Sequence, residues 1–281
     1  MSTPSEIRVK DWSQLMAVLT DDKWQPSCGK YRANVVYRGL SNARYDLHTS
    51  LFRLRDRASG EVEQHLLRNF RKYAHRDTSP GDWDWNWLSV GQHHGLPTRL
   101  LDWTFSPYVA LHFATSNVQH FDQDAAVWCV DYVATHNLLP APLYDEIAAL
   151  GGGLFTTEML NKAAKSLDEF DKYRDPHGRG LLVFFEPPSL DDRIVNQSAV
   201  FSAISHPTAC LSDWLLDHRD LYRKIVIPAD QKWIVRNYLD QANVTERVLF
   251  PGLDGLSQWL LRYYGNRPTM HPQAPGAPGP N

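Results

Sequence analysis

Arg38 stands at the mouth of a short β-branched run, Asn34-Val35-Val36-Tyr37, directly before Gly39. A guanidinium held where the backbone turns suits a bidentate contact to a diphosphate or to ribose hydroxyls. The alternative for Arg38 is a surface ion pair with Asp46. Thr49, Ser50 and Arg53 follow closely, a hydroxyl pair and a cation that could complete a phosphate-binding surface or simply form a turn with an outward arginine. A second cluster runs from Gln92-His93-His94-Gly95 to Arg99, Asp102, Trp103 and Thr104. Adjacent histidines at a helix end seldom share an ion without further spaced ligands, so a cap or a ligand contact is expected there and no metal. Asp102 could pair with Arg99 across the turn, contact a ligand, or do both.

These residues need elements to hold them. Residues 5–20 read as a strand followed by a helix begun by Asp11 or Ser13, and 59–77 as an amphipathic helix with Ser59 as cap and Glu61 and Glu63 in its first turn. Trp83, Trp85 and Trp87 alternate, which fits either a stacking row for bases or a face that fixes the neighbouring helix. A helix is expected to begin near Trp87 and to stop at Gly95 and Pro97. The sharpest local signal follows: 98–104 reads as a buried strand, then Ser106 as cap and Pro107 in the first turn of a helix. Further strands are expected at 125–132, 180–186, 193–202 and 223–228, with helices near 141–150, 156–173 and 229–241.

No regular βαβ beat appears, and neither a dinucleotide fingerprint nor a nucleoside-triphosphate phosphate loop is present, which disfavours both of those folds. An α+β arrangement is expected. The chain divides into an extension at 1–29 packed on the core, a main domain at 30–262, and a disordered Pro/Gly-rich tail at 263–281.

With 281 residues, 43% hydrophobic and 22% charged, the chain can bury a full core. Its net charge of -3 argues against nucleic-acid binding driven mainly by long-range electrostatics, although a local basic groove stays compatible. The start lacks the apolar run of a signal peptide, and nowhere are there the roughly 20 consecutive apolar residues of a membrane span, so a cytoplasmic protein without membrane contact is expected. Cys28, Cys129 and Cys210 are far apart and read as reduced thiols. Ten Trp and twelve Tyr fit either an aromatic core or surfaces for bases and partners.

Three blocks together resemble the FRG-domain family: Val36-Tyr37-Arg38-Gly39 with 47–53; the long stretch from Gln92 through Asp102-Trp103-Thr104 to Leu111; and Arg193-Ile194-Val195-Asn196-Gln197-Ser198-Ala199-Val200-Phe201. The likeness spans 30–262, with Tyr37 in place of the phenylalanine for which the family is named. FRG domains resemble ADP-ribosyltransferases, which implies a split mixed β-sheet with flanking helices and NAD as substrate. On this resemblance Arg38 matches the arginine or histidine of the first core strand, Thr104 or Ser106 the strand-to-helix element, and Gln197 the position where many transferases keep a glutamate. Arg38, Thr104 and Gln197 are thus the expected catalytic residues. Tyr37, Arg38, Gly39, Thr49, Ser50, Arg53, His94, Arg99, Asp102, Trp103 and Ser106 are the expected contacts to NAD.

Cleaving the nicotinamide–ribose bond develops positive charge on the sugar, so the site must hold diphosphate and ribose and favour an oxocarbenium-like transition state. An amide at 197 hydrogen-bonds but neither carries charge nor acts as a base. His93, His94, Asp102 and Glu186 are the groups from which a base could come. The resemblance implies a toxin of bacterial toxin–antitoxin or anti-phage systems that modifies RNA, plausibly an mRNA base, with an antitoxin partner, with or without a chaperone. A protein acceptor, simple NAD hydrolysis, and a degenerate fold that binds a nucleotide or partner without chemistry stand as the alternatives.

Overall fold

The computed structural model describes residues 5–20, 24–25, 30–31, 34–54, 60–74, 78, 80–149, 151, 153–189 and 191–265. Its strands are β1 (Glu6–Arg8), β2 (Trp24–Gln25), β3 (Lys30–Tyr31), β4 (Val35–Leu40), β5 (Leu101–Thr104), β6 (Ala125–Asp131), β7 (Phe155–Thr156), β8 (Leu182–Glu186), β9 (Ala199–Ile204) and β10 (Tyr222–Ile227). β2 and β3 form a separate hairpin, and the other eight make one sheet in the order β1-β10-β6-β4-β5-β9-β8-β7. The sheet is mixed: β1 is parallel to β10 and β7 to β8, and the remaining neighbours are antiparallel.

The middle of this sheet is its weakest point. β4 pairs with β6 over six residues and β5 with β9 over four, but β4 meets β5 in register at one pair among the described residues, Tyr37 opposite Thr104. Period-two alternation sorts the strands' apolar residues onto two faces. Val36, Trp103, Trp128, Val130, Leu182, Phe184 and Val200 face one continuous core under the helix Leu211–Leu216. On the opposite face two separate cores form, one from Tyr37, Val127, Cys129 and Ile225 with the helices Trp12–Thr20, Pro107–Ala114 and Lys232–Gln241. The other holds Val183, Phe185, Phe201 and Ala203 with the helices Asp84–His93, Ala141–Ala149 and Thr157–Ala163. The boundary between the two helical layers lies over the β4–β5 seam.

The helix Pro107–Ala114 begins as its sequence implies, with Pro in its first turn and Ser106 as N-cap accepting from the Val109 N–H. It lies so close to β4 that a Cβ at Gly39 would stand 1.8 Å from the Ala110 carbonyl oxygen. That contact explains the glycine. The N-terminal segment joins the main body, since β1 is the sheet's edge strand and Val9, Leu15 and Leu19 are core residues.

Several expectations are corrected. Residues 193–202 are not one strand: Asp191 caps a short helix, Asp192–Asn196, by accepting from the Ile194 N–H, Ser198 takes a positive φ of 47°, and β9 starts only at Ala199. Here a side-chain cap overrides the β preference of Ile194 and Val195. Trp83, Trp85 and Trp87 do not line an exposed row, because the helix starts at Asp84 and turns Trp85 and Trp87 into the core, Trp85 donating to the Ala164 carbonyl at 3.1 Å. The strand expected at 98–104 shortens to β5, and the helical 156–173 region is two helices, Thr157–Ala163 and Leu167–Phe170. Ser59, Cys28 and the tail from 266 onward lie outside the described residues. No helix among the described residues is long and apolar enough to cross a membrane.

Candidate active site

Where β4 and β5 part, a cleft of about 220 Å³ opens between the two helical layers. β4 brings Tyr37, Arg38 and Gly39, β5 brings Asp102, Trp103 and Thr104, and the helix Asp84–His93 brings Gln92 and His93. Phe113, Arg193, Gln197 and Phe201 complete the walls.

Arg38 spans the seam. Its Nη1 donates to the main-chain carbonyl of Asp102 and stands 3.8 Å from that residue's carboxylate, so the side chain substitutes for ladder bonds that the strands no longer make. Nε of Arg38 is buried and has no hydrogen-bond partner among the described residues. Burial lowers the Arg38 pKa, the Asp102 charge opposes that shift, and Arg53 adds to it. An arginine stays protonated at neutral pH regardless. The alternative reading of Arg38, a surface ion pair with Asp46, is not what forms: its ion-pair partner is Asp102.

Asp102 carries a half-exposed carboxylate that accepts from Gln92 Nε2 at 2.8 Å, while the Gln92 Oε1 accepts from the Thr98 hydroxyl. Asp102 is the one carboxylate in the cleft wall among the described residues. His93, nearly buried, contacts Asp191 through Nε2 at 2.6 Å, and Asp191 also caps the Asp192–Asn196 helix. His94, its neighbour, is exposed and outside the cleft.

The remaining wall depends on two brackets. The Thr104 hydroxyl donates to the Gln197 carbonyl at 2.7 Å and accepts from the Ser106 N–H at 3.0 Å, which ties the end of β5 to the turn before β9. Gln197 then donates from Nε2 to the Leu249 carbonyl at 2.9 Å, and Asn196 donates to the Val248 carbonyl at the same distance. Gln197 lines the cleft, and no hydrogen bond to its Oε1 is made among the described residues. Arg193 places its guanidinium 5.0 Å from the Phe250 ring centre.

Of the residues expected at the site, Tyr37, Arg38, Gly39, Asp102, Trp103, Thr104 and Gln197 meet in this cleft. The others lie elsewhere. Arg99 does not pair with Asp102: it is buried against Glu63 (Nε to Oε2, 2.6 Å) and grips both carboxylate oxygens of Asp171, a network that fastens the helix Gly60–Ala74 to the start of β5. The apolar burial of Glu63 in a helix read as amphipathic carries no local signal in sequence. Thr49 accepts from the Phe52 N–H, and Ser50 bonds the Thr98 backbone, so both are turn and cap residues. Arg53 donates to the His48 carbonyl at 2.9 Å, and Ser106 is a helix cap. Arg193 and Phe113 are not among the residues expected at the site, Arg193 because its segment reads as a strand. Among the described residues no group of three or more His, Cys, Asp or Glu could hold a metal ion.

The family model of the FRG domain matches residues 33–123 of the chain. That stretch runs from the start of β4 past the helix Pro107–Ala114 and supplies one wall of the cleft, including Arg38, His93, Asp102 and Phe113, whereas Arg193, Gln197 and Phe201 lie beyond it. Neither the curated proteins nor the solved structures yield a match.

Proposed function

We propose that the chain is an NAD-dependent mono-ADP-ribosyltransferase with an ADP-ribosyltransferase-like fold, acting as a toxin on a macromolecular acceptor, RNA first among them. The observation that carries this reading is the cleft at the split between β4 and β5, lined by an arginine with a buried, unpartnered Nε, by the Asp102 carboxylate that stands 3.8 Å from it, and by the Gln197 amide. Its volume of about 220 Å³ lies below the ~300–1,000 Å³ of sites that enclose a whole small molecule. It therefore suits one end of a dinucleotide, the nicotinamide ribose, with the diphosphate reaching the guanidinium groups of Arg38 and Arg193.

The residues divide the work by chemistry. Arg38 and Arg193 supply positive charge for the diphosphate. Asp102, held by Gln92, is the negative group that can face the cationic sugar as the nicotinamide bond breaks. Gln197 offers Oε1 to a ribose hydroxyl and positions without deprotonating. His93, held by Asp191, is the group able to take a proton from an incoming acceptor. Thr104 acts through the turn that it braces rather than on substrate. An antitoxin that covers this cleft is part of the same reading, as is a cytoplasmic setting.

A second reading, NAD binding without transfer, is favoured by the tether of the Gln197 amide to the Leu249 carbonyl, a wall built for hydrogen bonding rather than for a carboxylate. Radiolabelled NAD incubated with the purified chain in a lysate separates the two. Label that nuclease removes, and that Arg38→Ala and Asp102→Asn lack, is the expected result, whereas protease-sensitive label moves the acceptor to protein. Intact NAD with saturable binding would leave the second reading standing and end the first.

A further inference from the structure

The last helix among the described residues, Leu253–Tyr264, meets the rest of the chain along one narrow side. Gly255 is its one buried residue, and a Cβ there would stand 1.9 Å from the Phe250 carbonyl oxygen, so the helix rests directly on the backbone that follows the helix Glu246–Leu249. Arg262, about two turns further on, points to the same side. It makes paired contacts to Glu246 (2.6 and 2.9 Å) and to Asp240 (2.8 and 2.7 Å).

Beside that side runs an apolar stripe that nothing among the described residues covers. At about 100° per residue, Tyr263, Leu256, Leu260, Leu253 and Tyr264 fall within one arc of about 100°. Leu253 is 78% exposed, Leu256 38%, Leu260 39%, Tyr263 59% and Tyr264 77%. Contiguous apolar surface of this kind marks an interaction face. The five side chains present on the order of 500 Å² to water, and two such stripes together reach ~1,000 Å², the lower limit of a specific interface.

Spacing and charge set the partner. Leu253, Leu256, Leu260 and Tyr263 lie three, four and three residues apart, the a and d positions of a heptad seam. That order reads the same in reverse. Laid antiparallel on a second copy about a two-fold axis, Leu256 of one chain meets Leu260 of the other, and each Leu253 meets a Tyr263, a shorter side chain against a longer one. A parallel pair would set Tyr263 on Tyr263 and align the two helix dipoles. The seam is also neutral, because Arg262 is committed to Glu246 and Asp240, and Asp254 falls outside the arc. No like charges therefore oppose the contact of two copies.

We propose that this stripe is a self-association face, on which two copies of the chain pair through antiparallel Leu253–Tyr264 helices. The stripe contributes no residue to the cleft, and pairing requires neither NAD nor turnover, so it stands or falls apart from the transferase reading.

Sedimentation equilibrium of the full chain over a concentration series tests it. A reversible rise from the mass of one chain to that of two is expected, with a dissociation constant in the micromolar range, as suits an interface of this small size. Leu260→Glu sets a charge in the middle of the seam from both copies and should weaken the dimer at least about tenfold. Leu253→Glu, at a position already 78% exposed, should do the same and decides the matter if Leu260→Glu misfolds. An oxidised mixture of Leu256→Cys and Leu260→Cys proteins should give more covalent dimer than either protein oxidised alone, as the antiparallel register requires. A mass of one chain at every concentration overturns the proposal, as does a dimer that both glutamate variants leave at full strength. A wild-type monomer that pairs only when the chain is ended at Gly265 overturns it too, by assigning the stripe to residues 266–281.

Discussion

Arg38 donates from Nη1 to the main-chain carbonyl of Asp102 across the seam where β4 and β5 have stopped pairing, with the Asp102 carboxylate 3.8 Å away. One side chain thus links two halves of the sheet and presents charge to the space that their separation opens. On the proposed reading, stability and NAD binding are coupled at this residue, and substitutions can pull them apart.

Arg38→Lys keeps a positive charge but loses the planar fork that can hold a carbonyl and a ligand together. It should retain most of the thermal stability while raising the dissociation constant for NAD at least about tenfold, one charge-assisted hydrogen bond. Arg38→Ala should lose both, with a stability cost of about 1–3 kcal/mol. Calorimetric titration of NAD alongside thermal melts reads the two effects, and unchanged NAD affinity in Arg38→Lys would remove Arg38 from the ligand site.

Gly39→Ala places a Cβ 1.8 Å from the Ala110 carbonyl oxygen and 2.7 Å from the Ala114 nitrogen, backbone that cannot rotate away. Displacing the helix should cost about 3 kcal/mol or more. Gly95→Ala provides the comparison, since Gly95 has a φ of +81° but open space around its Cβ position. Its cost should be only the left-handed backbone strain, about 1–2 kcal/mol. Denaturant midpoints that rank the two the other way would contradict the tight packing of the helix on β4.

How far sequence reaches is visible in these same residues. The Ser106-Pro107 helix start is local chemistry, a cap and a fixed φ, and the structure places it where the sequence does. Arg38 and Gly39 are legible as a strand end, and Asp102 and Gln197 are brought to one cleft with them. What could not be read depends on distant partners. Arg99 is indistinguishable in sequence from a ligand-binding arginine until Glu63 and Asp171 arrive, 36 and 72 residues away. His93 and His94 are equivalent in sequence, and only the helix's rotation turns the first toward Asp191 and the second to solvent.

Acid should destabilise the fold through buried neutral histidines. His136 donates from Nδ1 to the Gly153 carbonyl at 2.8 Å and accepts the Phe184 N–H on Nε2 at 2.9 Å, an arrangement that only the neutral ring permits. Burial lowers its pKa from 6.5 to about 4, against a smaller opposing effect of the Gly153 bond. Above pH 6.5 the ring is neutral in both the folded and unfolded chain and stability does not depend on it. As pH falls from 6.5 towards 4 the unfolded chain takes up the proton and the folded one does not, so stability declines, by on the order of 3 kcal/mol for this group. His136→Gln should be less stable at neutral pH but show a shallower decline in denaturant midpoint across that window. His112, shifted in the same direction, keeps the slope from vanishing. A slope identical to wild type would exclude His136 as a titrating contributor.

Gln197→Glu tests whether the amide is a built feature of the cleft wall or a glutamate position in a different guise. The amide nitrogen donates to the Leu249 carbonyl and so holds the helix Glu246–Leu249 against the turn that Thr104 braces. A carboxylate cannot donate, and at neutral pH its negative oxygen would face a carbonyl oxygen, leaving that acceptor unpaired as well. The substitution should therefore lower stability by about 1–3 kcal/mol and should not raise NAD turnover. Gln197→Ala should cost a similar amount, because the lost donor is common to both. Thermal melts of the three proteins together with their rates of nicotinamide release decide the matter. A Gln197→Glu protein as stable as wild type and faster than it would mean that the tether is dispensable and that the position is a catalytic carboxylate site.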